Sequence, residues 1–479
     1  MKPPFGLLKR AFIVGALPIA LAGCAKFSPD AGMLPVSERV AGELGTDAVK
    51  IGTAEEAAAA KAKVRRILAG KLTADSVVQV ALLNNRGLQA DYNELGLSET
   101  AFVEASLPPN PIIGLERLVT SGELEIERRI VADLLALATL PKRREIARTQ
   151  FEAAKERAIE ATFRTAAETR RAFYRAVAAQ QTVALLEQAR LSADAAADLT
   201  RKLGETGAAN KLEQARASAF YAEISNELAR ARLAAGTERE ALTRQLGLWG
   251  GDINYKLPRA LPPVKGIKTA EQVEVEAVRK RVDLIAARLE LDALAKSYGL
   301  TQSTRFISML DGGLRSNYER SREDGITDKS YPKGFELEIQ IPLFDFGEVK
   351  VRRAKETYMQ AVNRLLEKAV NVRSEARSAY LTYRASYDIA RQYQNRILPL
   401  RKAVNEEALL RYNGMLIDEF ELLTTLRESI DSNIQAISAQ RDFFIASVDF
   451  QTAIVGGGAS SGEAGQGPSV AAAAGGGEH

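Results

Sequence analysis

The chain has 479 residues, 46% of them hydrophobic and 26% charged, so it can bury a large core and is not disordered as a whole. Its 65 basic and 61 acidic residues leave a formal charge of +4 and interleave as in EVKVRRAKE, the habit of solvated helix faces with i, i+4 pairs; no basic block is studded with aromatics, so no nucleic-acid partner is expected. There is one cysteine, and the one histidine is the last residue, His479, which rules out a Ser-His-Asp triad, a Cys-His pair and a His-based zinc site; no α/β pocket pattern surrounds an acid pair, so neither an enzyme nor a cofactor is expected.

Residues 1–23 open with Lys2, Lys9 and Arg10, continue through AFIVGALPIALA and close at LAGC. The apolar run is shorter than the roughly 20 residues a spanning helix needs, and it reads as a signal peptide. LAGC resembles the lipobox of bacterial lipoproteins. That resemblance implies cleavage before Cys24 and lipid attachment at Cys24, and Ala25 in place of an acid implies transfer to the outer membrane of a Gram-negative cell. Acylation anchors a chain to a leaflet and uses the only thiol, so no disulfide is expected. Residues 24–70, with an Ala-rich run, read as an extended segment leading away from the lipid.

From there the chain is written twice. ARTQFEAA at 147 corresponds to AKETYMQA at 354, and GAANKLEQ at 207 to GMLIDEFE at 414, both 207 residues apart. NNRGLQA at 84–90 corresponds to RKRVDLIAA at 279–287, with an offset of 196 that leaves 11 extra residues in the second half. The polar stretch SNYERSREDGITDKSYPKG is the place for them and reads as a long exposed loop.

In the first repeat, residues 71–249, a helix is expected from about Thr73 to Ala105. Strands follow at Ile112 to Val119 and Leu124 to Leu134 around a turn at Ser121-Gly122. A long helix then starts near Pro141, turns at Gly204 to Gly207 and returns to about Leu246. Residues 250–268 read as a linker. The second repeat, residues 269–455, is expected to hold a helix from Glu271 to Tyr298, strands near Arg305 to Tyr318 and Phe335 to Ile341, and a helix from Glu348 that turns at Asn413-Gly414 and returns to Ile454. Residues 456–479, rich in Gly, Ala and Ser, read as a disordered tail.

The junction FELEIQIPLFDFGEVKVRRAKE is the most informative stretch. Phe335, Leu337, Ile339 and Ile341 face one way and Glu336, Glu338 and Gln340 the other, the period of a two-faced strand. From Ala354 the apolar and small residues fall at steps of three and four, including Tyr358, Leu365, Val372, Ala376, Tyr383 and Ala390, which only a helix places on one face. About 66 uninterrupted helical residues would reach nearly 100 Å, with a kink expected at Pro399. Taken alone, the Ala-rich seam fits a coiled coil as well as a helical tube. Four amphipathic strands leave open edges and are too few for a one-chain membrane barrel, so three copies pooling twelve strands would be needed; a small capping sheet is the alternative.

The strand-to-helix junctions ATLPKRREIA and IPLFDFGEVKVRRA, the twofold repeat, and the turns GETGAANKLEQARA and RYNGMLIDEFELLTTLRES resemble the outer membrane efflux protein family, the TolC-like channels, over nearly all of residues 70–455. The resemblance implies a mainly α fold with a small β part: two tandem repeats of helix-strand-strand-long helix-helix, and a homotrimer forming a 12-stranded β-barrel continued by a 12-helix periplasmic α-barrel. It implies a passive duct in a tripartite efflux system, with a periplasmic adaptor and an inner-membrane pump of RND type as partners beside outer-membrane lipid. The helix-turn-helix tips at Gly204, Gly207, Asn210, Asn413 and Gly414 would dock the adaptor. Asp418, Glu419 and Glu421 would narrow the periplasmic entrance as rings of like charge, although acids in a first helical turn are also ordinary dipole partners. A type I protein secretion channel shares the architecture. A periplasmic adaptor lipoprotein is the alternative of another class, and would need more short strands around a single hairpin.

Overall fold

A computed structural model describes residues 27–121, 123–267, 272–323 and 326–458. The signal segment, Cys24 and the tail from 459 onward lie outside the described residues. Leu34–Leu44 (α1) and Ala54–Leu68 (α2) precede Ala74–Asn84 (α3) and Arg86–Ser106 (α4), then strands Ile112–Thr120 (β1) and Glu123–Asp133 (β2). Helices Leu134–Glu205 (α5) and Lys211–Gln245 (α6) complete the first half. The second half runs through Val273–Lys280 (α7), Val282–Ser303 (α8), Met309–Glu323 (β3), Ile326–Ser330 (β4), Lys333–Gln340 (β5), Glu348–Gln392 (α9), Leu398–Asn413 (α10) and Glu419–Val455 (α11).

The repeat is visible in the backbone. Each half opens with a helix pair broken at one residue, Asn85 (ψ 117) and Arg281 (ψ 115), and these two positions are separated by the offset of 196 seen in the sequence. One helix is thus two in both halves. Asn85 explains the first break, because its side-chain oxygen accepts from the Leu88 amide at 3.1 Å and starts α4.

Residues 34–68 are not extended. Thr53 and Glu56 form a reciprocal capping box that starts α2, and Val36 and Val40 of α1 are fully buried in one cluster with Leu82, Tyr92 and Phe151. Their heptad-like spacing gives α1 an apolar face that has to be covered. The stretch between the repeats is also more than a linker. Tyr255 and Leu261 are buried beside Phe173, Leu242 and Leu246, and Arg239 stacks 4.3 Å over the Tyr255 ring.

The long helix begins earlier than Pro141. Asp133 ends β2 and caps α5 by accepting from the Ala136 amide at 2.7 Å, so sheet becomes helix with no intervening residue. Pro141 then lies inside a helix of 72 residues, about 108 Å long, and removes only the bond to the Leu137 carbonyl. In the second half the passage is less direct. Residues 341–347 form a turn held by Phe346 N donating to Pro342 O at 2.8 Å, and Gly347 sits at φ 74 against the Arg305 backbone, where a Cβ has no room. The expected helix from 348 to 413 is interrupted by a π turn, Tyr393–Ile397. Pro399 lies just beyond it and its ring cannot face an α-helical carbonyl of Asn395, which the wider turn accommodates.

The strands make one antiparallel sheet in the order β1-β2-β3, with β4 and β5 both pairing β3 and four α-helices intervening in the chain between β2 and β3. The expected loop after Tyr318 is mostly sheet. β3 continues to Glu323 and β4 returns beside it, while Pro332, unable to donate to a ladder, separates β4 from β5. The result is one broken fourth strand, with β1 and β4/β5 left as open edges.

Candidate functional site: a two-faced sheet and two hairpin tips

The pairing register sorts the side chains of the sheet. Ile113, Ile130, Leu314 and Phe335 stand in one row across β1, β2, β3 and β5, and at 75%, 51%, 68% and 83% exposure they face outward with nothing over them. Large apolar side chains side by side on an open face mark a surface made for an apolar neighbour. The opposite face carries carboxylates. Asp133, Asp311 and Glu338 form one row, and beyond the rows of Val131 and Arg129, Glu127 and Glu125 stand beside Asn317 and Glu319. Arg315 donates to Glu127 at 2.7 Å and Asn317 to Glu125 at 3.0 Å. Arg129 lies along the wall over Gly114, where a Cβ would come within 2.7 Å of it.

At the far end of the long helices are the two tips. Gly207 has φ 79, and Ala208 N donates to Leu203 O at 2.8 Å, closing α5 in a Schellman turn. Gly204 leaves room for the Gln214 amide, which would have to swing aside for a Cβ there. Asn210 caps α6 in a box with Glu213. The second tip closes the same way, with Leu416 N on Arg411 O at 2.8 Å. Its left-handed residue is not Gly414, whose φ is −84. Met415 takes that place at φ 56, so the true equivalence is shifted by one residue: Gly207 with Met415, and Asn210 with Asp418. Asn413 is simply the last residue of α10. Met415 is 93% and Leu416 76% exposed.

The acids after that tip have different surroundings. Asp418 caps α11 by accepting from the Glu421 amide at 2.8 Å. Glu419 turns toward α5 and accepts from Thr200 at 2.5 Å; burial, then the charges of Glu213 and Asp418, push its carboxyl above the usual range against the pull of that hydrogen bond. Glu421 is exposed. Arg216 of α6 lies 4.6 Å over the Phe420 ring and Arg427 of α11 pairs with Glu223 of α6, so the two hairpins touch through α6 and α11. No local pattern announces the Thr200 and Arg216 contacts, which join residues more than 200 positions apart. Among the described residues no group of three His, Cys, Asp or Glu is arranged to hold a metal ion, and no helix is long and apolar enough to cross a membrane.

The model of the family described as outer membrane efflux protein matches residues 275–413, from α7 to the end of α10. The chain carries an outer membrane efflux protein domain. No curated protein matches it in sequence. Solved structures match the fold of that domain and of the half preceding it. The CmeC outer membrane channel of Campylobacter jejuni superposes with a TM-score of 0.69 at 17% identity, over 81% of this chain and 87% of CmeC. CusC, described in terms of folding and transmembrane channel formation, gives 0.67 at 16% over 80% and 92%. The outer membrane protein VceC of Vibrio cholerae gives 0.66 at 15% over 80% and 96%. The fold is therefore TolC-like, and the efflux protein domain occupies its second repeat.

Proposed function

We propose that the chain is the outer-membrane channel of a tripartite efflux system, acting as a homotrimer and as a passive exit duct. The sheet carries this reading. It has two open edges, an apolar face with no cover and a carboxylate face, and β2 runs directly into α5. An open sheet cannot lie in lipid because its edge amides and carbonyls find no partners there. Pairing β1 of one copy with β4/β5 of the next removes the edges. Three copies close about twelve strands, enough for an aqueous bore, with carboxylates inside and Ile113, Leu314 and Phe335 toward lipid.

The remaining roles follow from that placement. The helical tips lie at the end opposite the sheet, where a periplasmic adaptor bridging to an RND-type pump would meet Gly204, Gly207, Asn210, Asn413 and Gly414; Met415 and Leu416 are the apolar contacts offered there. Of the three acids near the entrance, Glu421 is the one whose side chain is uncommitted, so it is the best candidate for a charged constriction, ahead of Asp418 and Glu419. LAGC supports acylation at Cys24 and anchoring in the outer membrane. The mass of the mature chain tests this anchor: it should include acyl groups that Cys24→Ser lacks.

The test of the channel is a detergent-corrected mass together with single-channel conductance in a planar bilayer. A trimer with unitary currents is expected, and Glu421→Ala should enlarge them. Monomers without conductance would remove the channel reading.

A further inference from the structure

The outward face of the sheet is not uniformly apolar, and its charges have one sign. Arg117, Arg128, Arg320, Arg322, Lys329 and Lys333 share the face of Ile113, Leu314 and Phe335, and all are exposed. Every described carboxylate of the strands is on the other face. Among the described residues none of these cations has an acid within ion-pair distance, whereas Arg315, on the carboxylate face, is paired with Glu127.

Their height on the sheet is as ordered as their direction. Near the helices the outward rows are apolar: Leu310 with Ile339, Gly312 with Leu337, Leu314 with Phe335. Lys333, level with Arg128 through Ser316, is the first cation, and Arg320 pairs with Lys329 farther toward the hairpin tip. At about 3.3 Å per residue Lys329 is roughly 33 Å along the strand from Ile339. A strand tilt of about 40° reduces this to roughly 25 Å along the membrane normal, the height of a barrel's apolar band. The cations therefore collect at the interface farthest from the helices, which for a periplasmic helical tube is the outer leaflet. Lys333 and Arg128 lie two outward rows deeper than the Arg320–Lys329 pair, and their long stems carry their charges toward that interface.

We infer that this collar binds the phosphates of outer-leaflet glycolipid headgroups. The inference rests on the channel reading above. Guanidinium groups match phosphate oxygens in a two-pronged geometry. Threefold repetition would surround the barrel with unpaired cations beside a densely phosphorylated leaflet. A lipid-facing carboxylate would be repelled from that leaflet, and none is present on the described face.

The experiment is native mass spectrometry of the purified full-length protein in detergent, titrated with bis-phosphorylated lipid A and with the same lipid after phosphate removal. Trimer mass and planar-bilayer conductance are measured on the same preparation. The wild type should hold the phosphorylated lipid at least 10-fold more tightly. The triple variant Arg117→Gln, Arg320→Gln, Lys329→Gln should lose that preference while still conducting, and Arg129→Gln, on the carboxylate face, should keep it. A conducting trimer indifferent to lipid phosphate, or a triple variant with the preference intact, overturns the collar alone. A monomeric, non-conducting chain overturns the channel reading and the collar with it.

Discussion

At the second tip a methionine occupies a position that suits glycine. Met415 has φ 56, a conformation that costs an L side chain about 1 kcal/mol, and its side chain is almost wholly exposed, so burial returns nothing. Strain kept at an exposed turn points to use of the side chain itself. Met415→Gly should slow hydrogen exchange of the Leu416 amide while weakening adaptor binding about 10-fold; unchanged binding would leave the residue without a docking role. Gly207→Met is the converse. No atom lies within 4 Å of the added Cβ, so strain alone should destabilise the first tip by about 1 kcal/mol. Nearby, Glu419 has its carboxyl raised by burial first and by Glu213 and Asp418 after it. A raised acid binds more protons in the folded tip than in the opened one, so protonation favours closure. Tip protection should therefore rise as pH falls from neutral toward the ordinary glutamate range and decline as pH rises through the elevated value. Glu419→Gln keeps an acceptor for Thr200 and loses the charge, so the tip's protection factor, corrected for the intrinsic exchange rate, should be higher at neutral pH and almost flat across that window.

Elements with a sustained period were legible in the sequence, and so was their duplication. The alternation of Phe335 to Gln340, the three-and-four spacing after Ala354 and the turn at Gly207 all survive in the fold, because period and turn chemistry are local. What was not legible depends on contacts between distant segments. Arg281 breaks its helix with no glycine, proline or capping side chain to announce it; only its match to Asn85 in the other repeat gives it away. The Asn413-Gly414 pair marks a turn by composition, but one extra residue before the cap puts the left-handed position at Met415. The first folded segment is the largest difference. Its Ala-rich composition suggested a tether, whereas Val36 and Val40 belong to the core of α3, α4 and α5. Val36→Asp would bury an unpaired carboxylate and should lower the thermal unfolding midpoint sharply or prevent folding. Leu34→Asp, at a site 61% exposed, should change it little. Equal effects would mean that α1 is not part of the core.

For the whole molecule the decisive feature is that one strand period does two jobs. Alternation puts apolar and basic groups on the outer face and carboxylates on the inner one, so in the proposed barrel one set of alternate residues meets the membrane while the other lines the bore with negative charge. Such a lining should pass cations in preference to anions. Arg129 is the exception, an arginine on the carboxylate face with no acid in ion-pair reach among the described residues. It can lie flat because the cross-strand neighbour, Gly114, has no side chain. Arg129→Gln should raise the cation preference read from the reversal potential in a salt gradient. Gly114→Ala should act through space: the new Cβ meets the Arg129 stem at 2.7 Å, too near its root to be avoided by moving the guanidinium alone. The side chain must lift from the wall into the bore, and unitary conductance should fall. Combining Gly114→Ala with Arg129→Gln should restore most of that conductance, because a shorter neutral side chain obstructs less and repels no cation. Conductance unaffected by Gly114→Ala would mean that Arg129 already stands away from the wall in the assembled barrel, or that this face does not line the conducting path.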